Sequence, residues 1–410
     1  MRKTTRFALI MLVVSFVFLT GNSRSSAAFE NKSSFTLSAV GDIMMHEEQS
    51  AGGLQADGSY NFDEYFAFLG GRLSHSDVAI ANMETPIVPG RAPGGFPYFN
   101  SPAELAVVTA LAGIDIVSAS NNHSLDQEID GAKETLRQLL AAGIEPVGMY
   151  EDKSEYFNPY VREINGINVA FLAYTEHING RERHFKKGEL DGLIKIFNKD
   201  EAAYDILRAK RGGADVVVIM IHWGKEYENQ PSTATIKLAE ELAVTGADII
   251  IGSHPHVVQP CEIKTVTRSD GREHDVFIAY SLGNFISNQT LTPRQYGVIV
   301  DLDIEYDFEQ RLMTIKEAGY SPTMVWKRNS AVNRGQSNYS VVACDDFVTL
   351  PAEGMTEADM RHIARANKHI MSQMEQSNVP LFDYYARTGL PRPDADPDSD
   401  TAEPDAHNLP

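Results

Sequence analysis

Apolar runs that each close on polar residues recur along the chain from Phe35 onward. FTLSAVGD (35–42), VAIANMET (78–85), IDIVSASNNH (114–123), NVAFLAYTEH (168–177), DVVVIMIHWG (215–224) and DIIIGSHPH (248–256) read as strands, with the short IEPVGM (144–149) beside them. Between them, AELAVVTALAG (103–113) and IDGAKETLRQLLAAG (129–143) carry apolar residues at helical spacing and close on glycine. Two further helices are predicted over 199–211 and 232–245. Strands rich in Val and Ile, bounded by helices, imply an α/β fold with sheets covered on both faces. After residue 260 the pattern is more purely β. VFIAYSLGNF (276–285), YGVIVDLDIEY (296–306) and RLMTIKEAGYSP (311–322) predict antiparallel strands that complete the sheet system. Residues 356–376 predict a late helix with Thr356 as its N-cap.

The residues able to do chemistry sit at one end of these strands. Asp42, then Asn82 and Glu84, then Asn121 to His123, then His222, then His254 and His256 each follow an apolar run. Ligands of α/β sheets bind at the carboxyl ends of strands. Singly, each has a plain structural reading: a turn asparagine, a capping aspartate, a hydrogen-bonded core histidine. Recurrence in five strands points to one site. In His254-Pro255-His256, residues i and i+2 of an extended segment share a side, and proline stiffens the loop. The inventory is Asp, Glu, Asn and His without Cys. That suits divalent ions such as Mn, Zn or Fe better than a structural zinc knot. Two such ions about 4 Å apart need a shared carboxylate, and they activate a water for attack on phosphorus. Asp42 and Glu84 are the acidic candidates for bridging. Trp223, Lys225 and Glu226 follow His222 and are expected at the mouth of the site, with Lys225 facing an anionic substrate. Ser281, Gly283 and Asn284 are expected to form a polar wall, and Asn82 and Asn121 are counted with Asn284 as substrate contacts.

The order G-D, N-x-E, N-N-H, H-W-G, G-S-H-P-H and S-L-G-N-F resembles the CapA-type poly-γ-glutamate capsule biosynthesis proteins, within the calcineurin-like metallophosphoesterase superfamily. The pieces here are Gly41-Asp42, Asn82-Met83-Glu84, Asn121-Asn122-His123, His222-Trp223-Gly224, Gly252 to His256 and Ser281 to Phe285. The resemblance spans roughly residues 35–325. It implies a four-layer sandwich of two mixed β-sheets flanked by helices, holding two divalent ions. It further implies that Asp42 and His256 bind the first ion, and that Asn122, His222 and His254 bind the second. His123 would face the leaving group. The superfamily's opening Asp-x-His is here Asp42-Ile-Met-Met-His46, which makes His46 a candidate ligand. The acid usual after the Asn-His pair is replaced by Ser124, with Asp126 two residues further on as the candidate partner in catalysis.

Composition narrows the partners. The chain has 410 residues, 43% hydrophobic and 22% charged, and a formal net charge of −20. That balance argues against a nucleic-acid partner and against docking on anionic lipid by charge alone. Arg2, Lys3 and Arg6 precede an apolar stretch from Phe7 to Leu19, and Ser26-Ala27-Ala28 offers small residues for cleavage. Residues 1–28 are therefore expected to be a signal peptide, with a membrane anchor as the alternative, and the chain is expected to be exported. Residues 326–390 are expected to form a helical extension, and 391–410, alternating Pro and Asp, a disordered acidic tail. Cys261 and Cys344, the only cysteines, are not expected to pair. Three functions follow. The chain is a component of poly-γ-glutamate synthesis or export, partnering membrane synthase subunits; or a dinuclear metal hydrolase acting on a phosphorylated small molecule or on the polymer; or a non-catalytic scaffold.

Overall fold

The computed structural model describes residues 31–328, 339–347 and 351–389. The expected signal segment and acidic tail lie outside these residues. Among the described residues no helix is long and apolar enough to cross a membrane. The chain begins with β1 (Lys32–Ile43), α1 (Glu47–Gly53), β2 (Val78–Met83), α2 (Glu104–Leu111), β3 (Ile116–Ser118), α3 (Glu128–Ala141) and β4 (Glu145–Val147). It continues with β5 (Tyr160–Ile164), β6 (Ile167–Thr175), α4 (Lys199–Arg211), β7 (Val216–His222), α5 (Thr233–Thr245) and β8 (Ile249–Ser253). The remaining elements are β9 (Cys261–Thr267), β10 (Glu273–Ala279), β11 (Asn284–Ile286), β12 (Tyr296–Asp307), β13 (Leu312–Lys327), β14 (Tyr339–Ala343), α6 (Glu357–Met374) and α7 (Tyr384–Thr388).

These strands form two mixed sheets. The first runs β14-β13-β12-β1-β2-β3-β4, with β11 against the end of β1; the second runs β5-β6-β7-β8-β10-β9. Within the first, β1 to β4 are parallel; within the second, β6, β7, β8 and β10 are. Side-chain alternation decides the layers. On β6, Val169, Phe171 and Ala173 enter a core shared by both sheets, while Ala170, Leu172 and Tyr174 pack with Ala202 and Ile206 of α4 and Leu242 of α5. On β2, Val78 and Ile80 enter the shared core, whereas Ala79 and Ala81 pack outward with Leu105 of α2 and Leu139 of α3. The order is helix, sheet, sheet, helix, the arrangement the resemblance implied. Burying each such Val, Leu, Ile or Phe contributes roughly 1.5–3 kcal/mol.

Three departures bear on the site. The stretch 276–285 is not one antiparallel strand. β10 lies parallel to β8 in the second sheet, and β11 lies parallel to β1 in the first. The chain crosses between sheets at Tyr280–Gly283, where Gly283 holds φ +68°, a conformation that favours glycine. Both halves are apolar and buried, so periodicity alone does not show the break. Second, the region after residue 325 contributes a strand, β14, as well as α6. That helix begins at the expected Thr356 cap and buries Ile363, Ala366, Ile370 and Met374 against the shared core. Third, β1 carries an irregularity between Ala39 and Asp42: Ala39 pairs with Ile80, but Asp42 pairs with Asn82. Three steps on β1 face two on β2. That extra residue turns Asp42 from the outer face to the inner one, as a bulge does.

Candidate metal centre

The centre is built where the carboxyl ends of the parallel strands of both sheets meet. Asp42 at the end of β1 is flanked in register by Asn82 of β2 and Asn284 of β11. Gly41 permits this. A Cβ there would lie 1.8 Å from the Gly283 carbonyl oxygen, and the Asp42 amide donates to that oxygen at 3.0 Å. Asn82 and Glu84 share the inward parity of Val78 and Ile80, so Glu84, just past β2, points at the second sheet. Asp42 and Glu84 are fully buried. The Asn82 Nδ2 donates to Asp42 Oδ1 (2.8 Å) and Glu84 Oε2 (3.2 Å). Asn82, expected at the substrate, is therefore an anchor beneath the two carboxylates.

The second sheet supplies the histidines. His222 has the inward parity of Val218 and Met220 on β7. His254 and His256 follow β8 in a loop where both adopt positive φ, +97° and +56°. Non-glycine residues held there store strain of order 1–3 kcal/mol each, and such strain clusters at functional sites. His256 Nδ1 lies 3.0 Å from Asp42 Oδ2 and 3.1 Å from Asn284 Oδ1; its Nε2 lies 3.6 Å from Glu84 Oε1. His222 Nε2 lies 3.0 Å from Asn122 Oδ1 and 3.6 Å from Glu84 Oε1, and its Nδ1 lies 3.0 Å from Ser253 Oγ. Among the described residues, two sets of potential ligand atoms gather within 4.8 Å: Glu84, His254 and His256; and Asp42, Glu84 and His222. Glu84 belongs to both. His256 also lies 3.0 Å from Asp42, and the His222 and His254 ring centres are 4.6 Å apart.

The electrostatics fit a cation. Burial first, then the Asp42 charge, holds the Glu84 carboxyl well above the usual range. Burial, then the neighbouring His254 and His256, keeps His222 well below the usual imidazole value. Burial, then His256, lowers His254 to about 3. These two rings are neutral at pH 7, as metal ligands must be. Glu84 Oε1 and His254 Nδ1 are buried and have no hydrogen-bond partner among the described residues. An unsatisfied buried acceptor costs roughly 1–3 kcal/mol. Both belong to one ligand set, and a divalent ion would satisfy both.

His123 stands beside the centre. Its Nδ1 lies 2.7 Å from Asp126 Oδ2, which also accepts from the Phe99 amide at 2.8 Å. Asn121 shapes this loop rather than facing a ligand: its Oδ1 accepts from the His123 amide and its Nδ2 donates to the Met83 carbonyl. Asn284 holds His256 and, through Nδ2, the Arg294 carbonyl (2.8 Å). His46 joins neither ligand set. Its ring packs edge-on against Phe99, and its Nδ1 accepts from the Asn288 amide at 3.3 Å. Burial lowers it to about 4. Trp223 and Lys225 fall outside the site. Trp223 has the outward parity of Ile219 and Ile221, packs in the helix-side core and donates Nε1 to the Tyr280 carbonyl. Lys225 is largely exposed and paired with Glu228. Period-two alternation counted from His222 predicts Trp223's direction.

At His256 the centre adjoins a cavity of about 290 Å³ lined by Met44, His46, Phe99 and His123 and by Phe96, Glu226, Tyr227, Leu291 and Arg294. Glu226 was expected there; Tyr227, Phe99 and Arg294 were not. Their only mark in the sequence is proximity to the ligand segments.

The family profile described as "Bacterial capsule synthesis protein PGA_cap" matches residues 36–289. The "Capsule biosynthesis protein CapA" of Bacillus anthracis is 29% identical over 315 residues, covering 73% of this chain and 72% of that protein. The "PGA biosynthesis protein CapA" of Bacillus subtilis is 27% identical, covering 76% of this chain and 80% of that protein. A solved structure, the calcineurin-like phosphoesterase YfkN from Bacillus subtilis, aligns with a TM-score of 0.41 at 14% identity, over 83% of this chain and 99% of that one.

Proposed function

The chain belongs to the PGA_cap family of bacterial capsule synthesis proteins, and from that premise we propose that it performs a metal-dependent hydrolytic step in poly-γ-glutamate synthesis or export, outside the cytoplasm and beside the membrane subunits of the synthase. The observation that carries this reading is the sharing of Glu84 between two ligand sets, with two buried atoms that nothing among the described residues satisfies. Glu84, His254 and His256 would hold one divalent ion, and Asp42, Glu84 and His222 the other, with Mn, Zn or Fe the ions that suit the donors. When bound, such ions stabilise charge on an oxyanion and make a water nucleophilic at neutral pH.

The protein's own groups prepare the rest. Asn82 Nδ2 fixes both carboxylates. Asn284 Oδ1 and Asp42 Oδ2 orient His256 through Nδ1, leaving Nε2 toward Glu84, the outer-shell arrangement typical of ligating histidines. Asp126 accepts from His123 at Nδ1, which leaves Nε2 as the free ring atom; once protonated there, the ring would give that proton to a leaving group. The bond cleaved is a phosphoester or an amide of the polymer.

The test is direct. The full chain is expected to bind about two Mn²⁺ and to hydrolyse an aryl phosphate or a γ-glutamyl amide with Mn²⁺ present. His222→Ala should lose one ion and most of the rate. Less than one ion per chain, with no change in His222→Ala, would remove the hydrolase and leave a scaffold.

A further inference from the structure

The cavity over the centre has one cationic side chain among its lining residues, Arg294. It lies in the segment between β11 and β12 and is half-buried. Its guanidinium carbon sits 3.3 Å from the centre of the Tyr227 ring. Tyr227 is itself fixed: its φ is +67°, and its amide donates to the Pro255 carbonyl at 2.8 Å, between the two histidines of the ligand loop. The Tyr227 ring centre lies 6.1 Å from that of His256. Those two separations bound the guanidinium within 9.4 Å of the His256 ring. The backbone of Arg294 is tied to the same place, since Asn284 bonds both its carbonyl and His256. The arginine is thus held by the groups that hold the ion ligands.

What it lacks is an acid. No carboxylate forms an ion pair with Arg294 among the described residues, although the chain carries 56 Asp and Glu against 36 Lys and Arg. Glu226 lines the same cavity but forms no ion pair with Arg294 among the described residues. Half-buried arginines are normally matched to a carboxylate or phosphate by their planar fork of donors. Stacked on an aromatic ring, the fork is pre-organised and loses little freedom on binding an anion.

We propose that Arg294 is the specificity residue of this site, receiving a second anionic group of the substrate while the reacting group lies at the ion-holding floor. This rests on the reading above that the cavity takes the substrate. A carboxylate and a phosphate share the required chemistry: two oxygens in one plane that the guanidinium fork binds side by side. A γ-linked glutamyl chain carries such a carboxylate at every residue. Arg294 takes the part that the sequence pattern assigned to Lys225.

The experiment is calorimetric titration of the full chain with γ-glutamylglutamate and, separately, inorganic phosphate, with and without Mn²⁺, on wild type, Arg294→Gln and Arg294→Lys. Arg294→Gln should weaken the dipeptide roughly tenfold or more. Arg294→Lys should recover part of that, because an ammonium restores charge without the fork. Mn²⁺ stoichiometry and affinity should match wild type in both. If phosphate loses affinity instead of the dipeptide, the anion is a phosphoryl group and the assignment to Arg294 stands. Equal binding of both probes by wild type and Arg294→Gln, or binding of neither by wild type, overturns it. Loss of Mn²⁺ binding in both variants marks Arg294 as structural and also overturns it. A wild type that binds no Mn²⁺, yet loses the dipeptide on Arg294→Gln, separates failure of the metal reading from failure of this one.

Discussion

Glu84→Gln separates the two costs that meet in the centre. Without ions, two carboxylates lie buried together. Asp42 Oδ1 and Glu84 Oε2 share one amide nitrogen at 2.8 and 3.2 Å, so they are at most 6.0 Å apart. At an effective dielectric near 20 their repulsion is about 3 kcal/mol. Proton uptake by Glu84, whose carboxyl burial and the Asp42 charge hold well above its usual range, caps that cost. Gln keeps the volume and the acceptor and removes the charge. The unfolding entropy of roughly 350 ordered residues is about 0.7 kcal/mol/K. Chelator-treated Glu84→Gln should therefore melt up to about 4 °C above chelator-treated wild type. The order reverses with metal. At a hundred times Kd each ion adds about 2.7 kcal/mol, so two ions raise wild type by about 7 °C. The variant, having lost the shared ligand of both sets, should gain less than half of that. Scanning calorimetry with and without Mn²⁺ measures both. A metal-free variant that melts at or below wild type, or one with the full Mn²⁺ gain, would refute the shared-carboxylate argument.

Other outcomes follow from single contacts. Gly41→Ala forces a Cβ into the Gly283 carbonyl, so β1 and β11 must part; the loss should be roughly 3 kcal/mol or more in urea unfolding, with weakened Mn²⁺ binding. Asp301 bonds Ser38, and burial raises it to about 6. The folded state then binds more protons than the unfolded one between pH 3.8 and about 6, so ionisation destabilises as pH rises through that window, by up to about 3 kcal/mol, and the loss stays constant above it. The stability of Asp301→Asn relative to wild type should climb from pH 4 to 6 and then level off; a difference independent of pH would contradict this. Cys261 and Cys344 are buried free thiols, and burial raises both. Neither should react with a thiol reagent before unfolding, and a reductant should leave the melting temperature unchanged.

Much of this was legible in the chain itself, because strand periodicity and strand-end chemistry are local. Alternation in VVVIMIH and NVAFLAYT marks strands buried on both faces, and the polar residues closing them mark the carboxyl edge. Asp42, Glu84, His222, His254 and His256 could be gathered into one site on that ground alone, whereas Asp126 was singled out only through the family resemblance. Counting alternation past His222 would also have sent Trp223 to the helix side.

The rest was decided by packing between segments far apart in sequence. The bulge that turns Asp42 inward appears only when β1 is paired with β2. Asn82 reads as a free polar residue until its amide is found between two carboxylates. The split of 276–285 between two sheets depends on a glycine turn that both apolar halves conceal. What His254 and His256 face is set by loop backbones at positive φ, whose cost is met by contacts elsewhere. Arg294, some 40 residues beyond the histidine loop, owes its place to a tyrosine ring and an asparagine amide. Local pattern fixes which way a side chain leaves its strand; only the docking of the two sheets fixes what it meets.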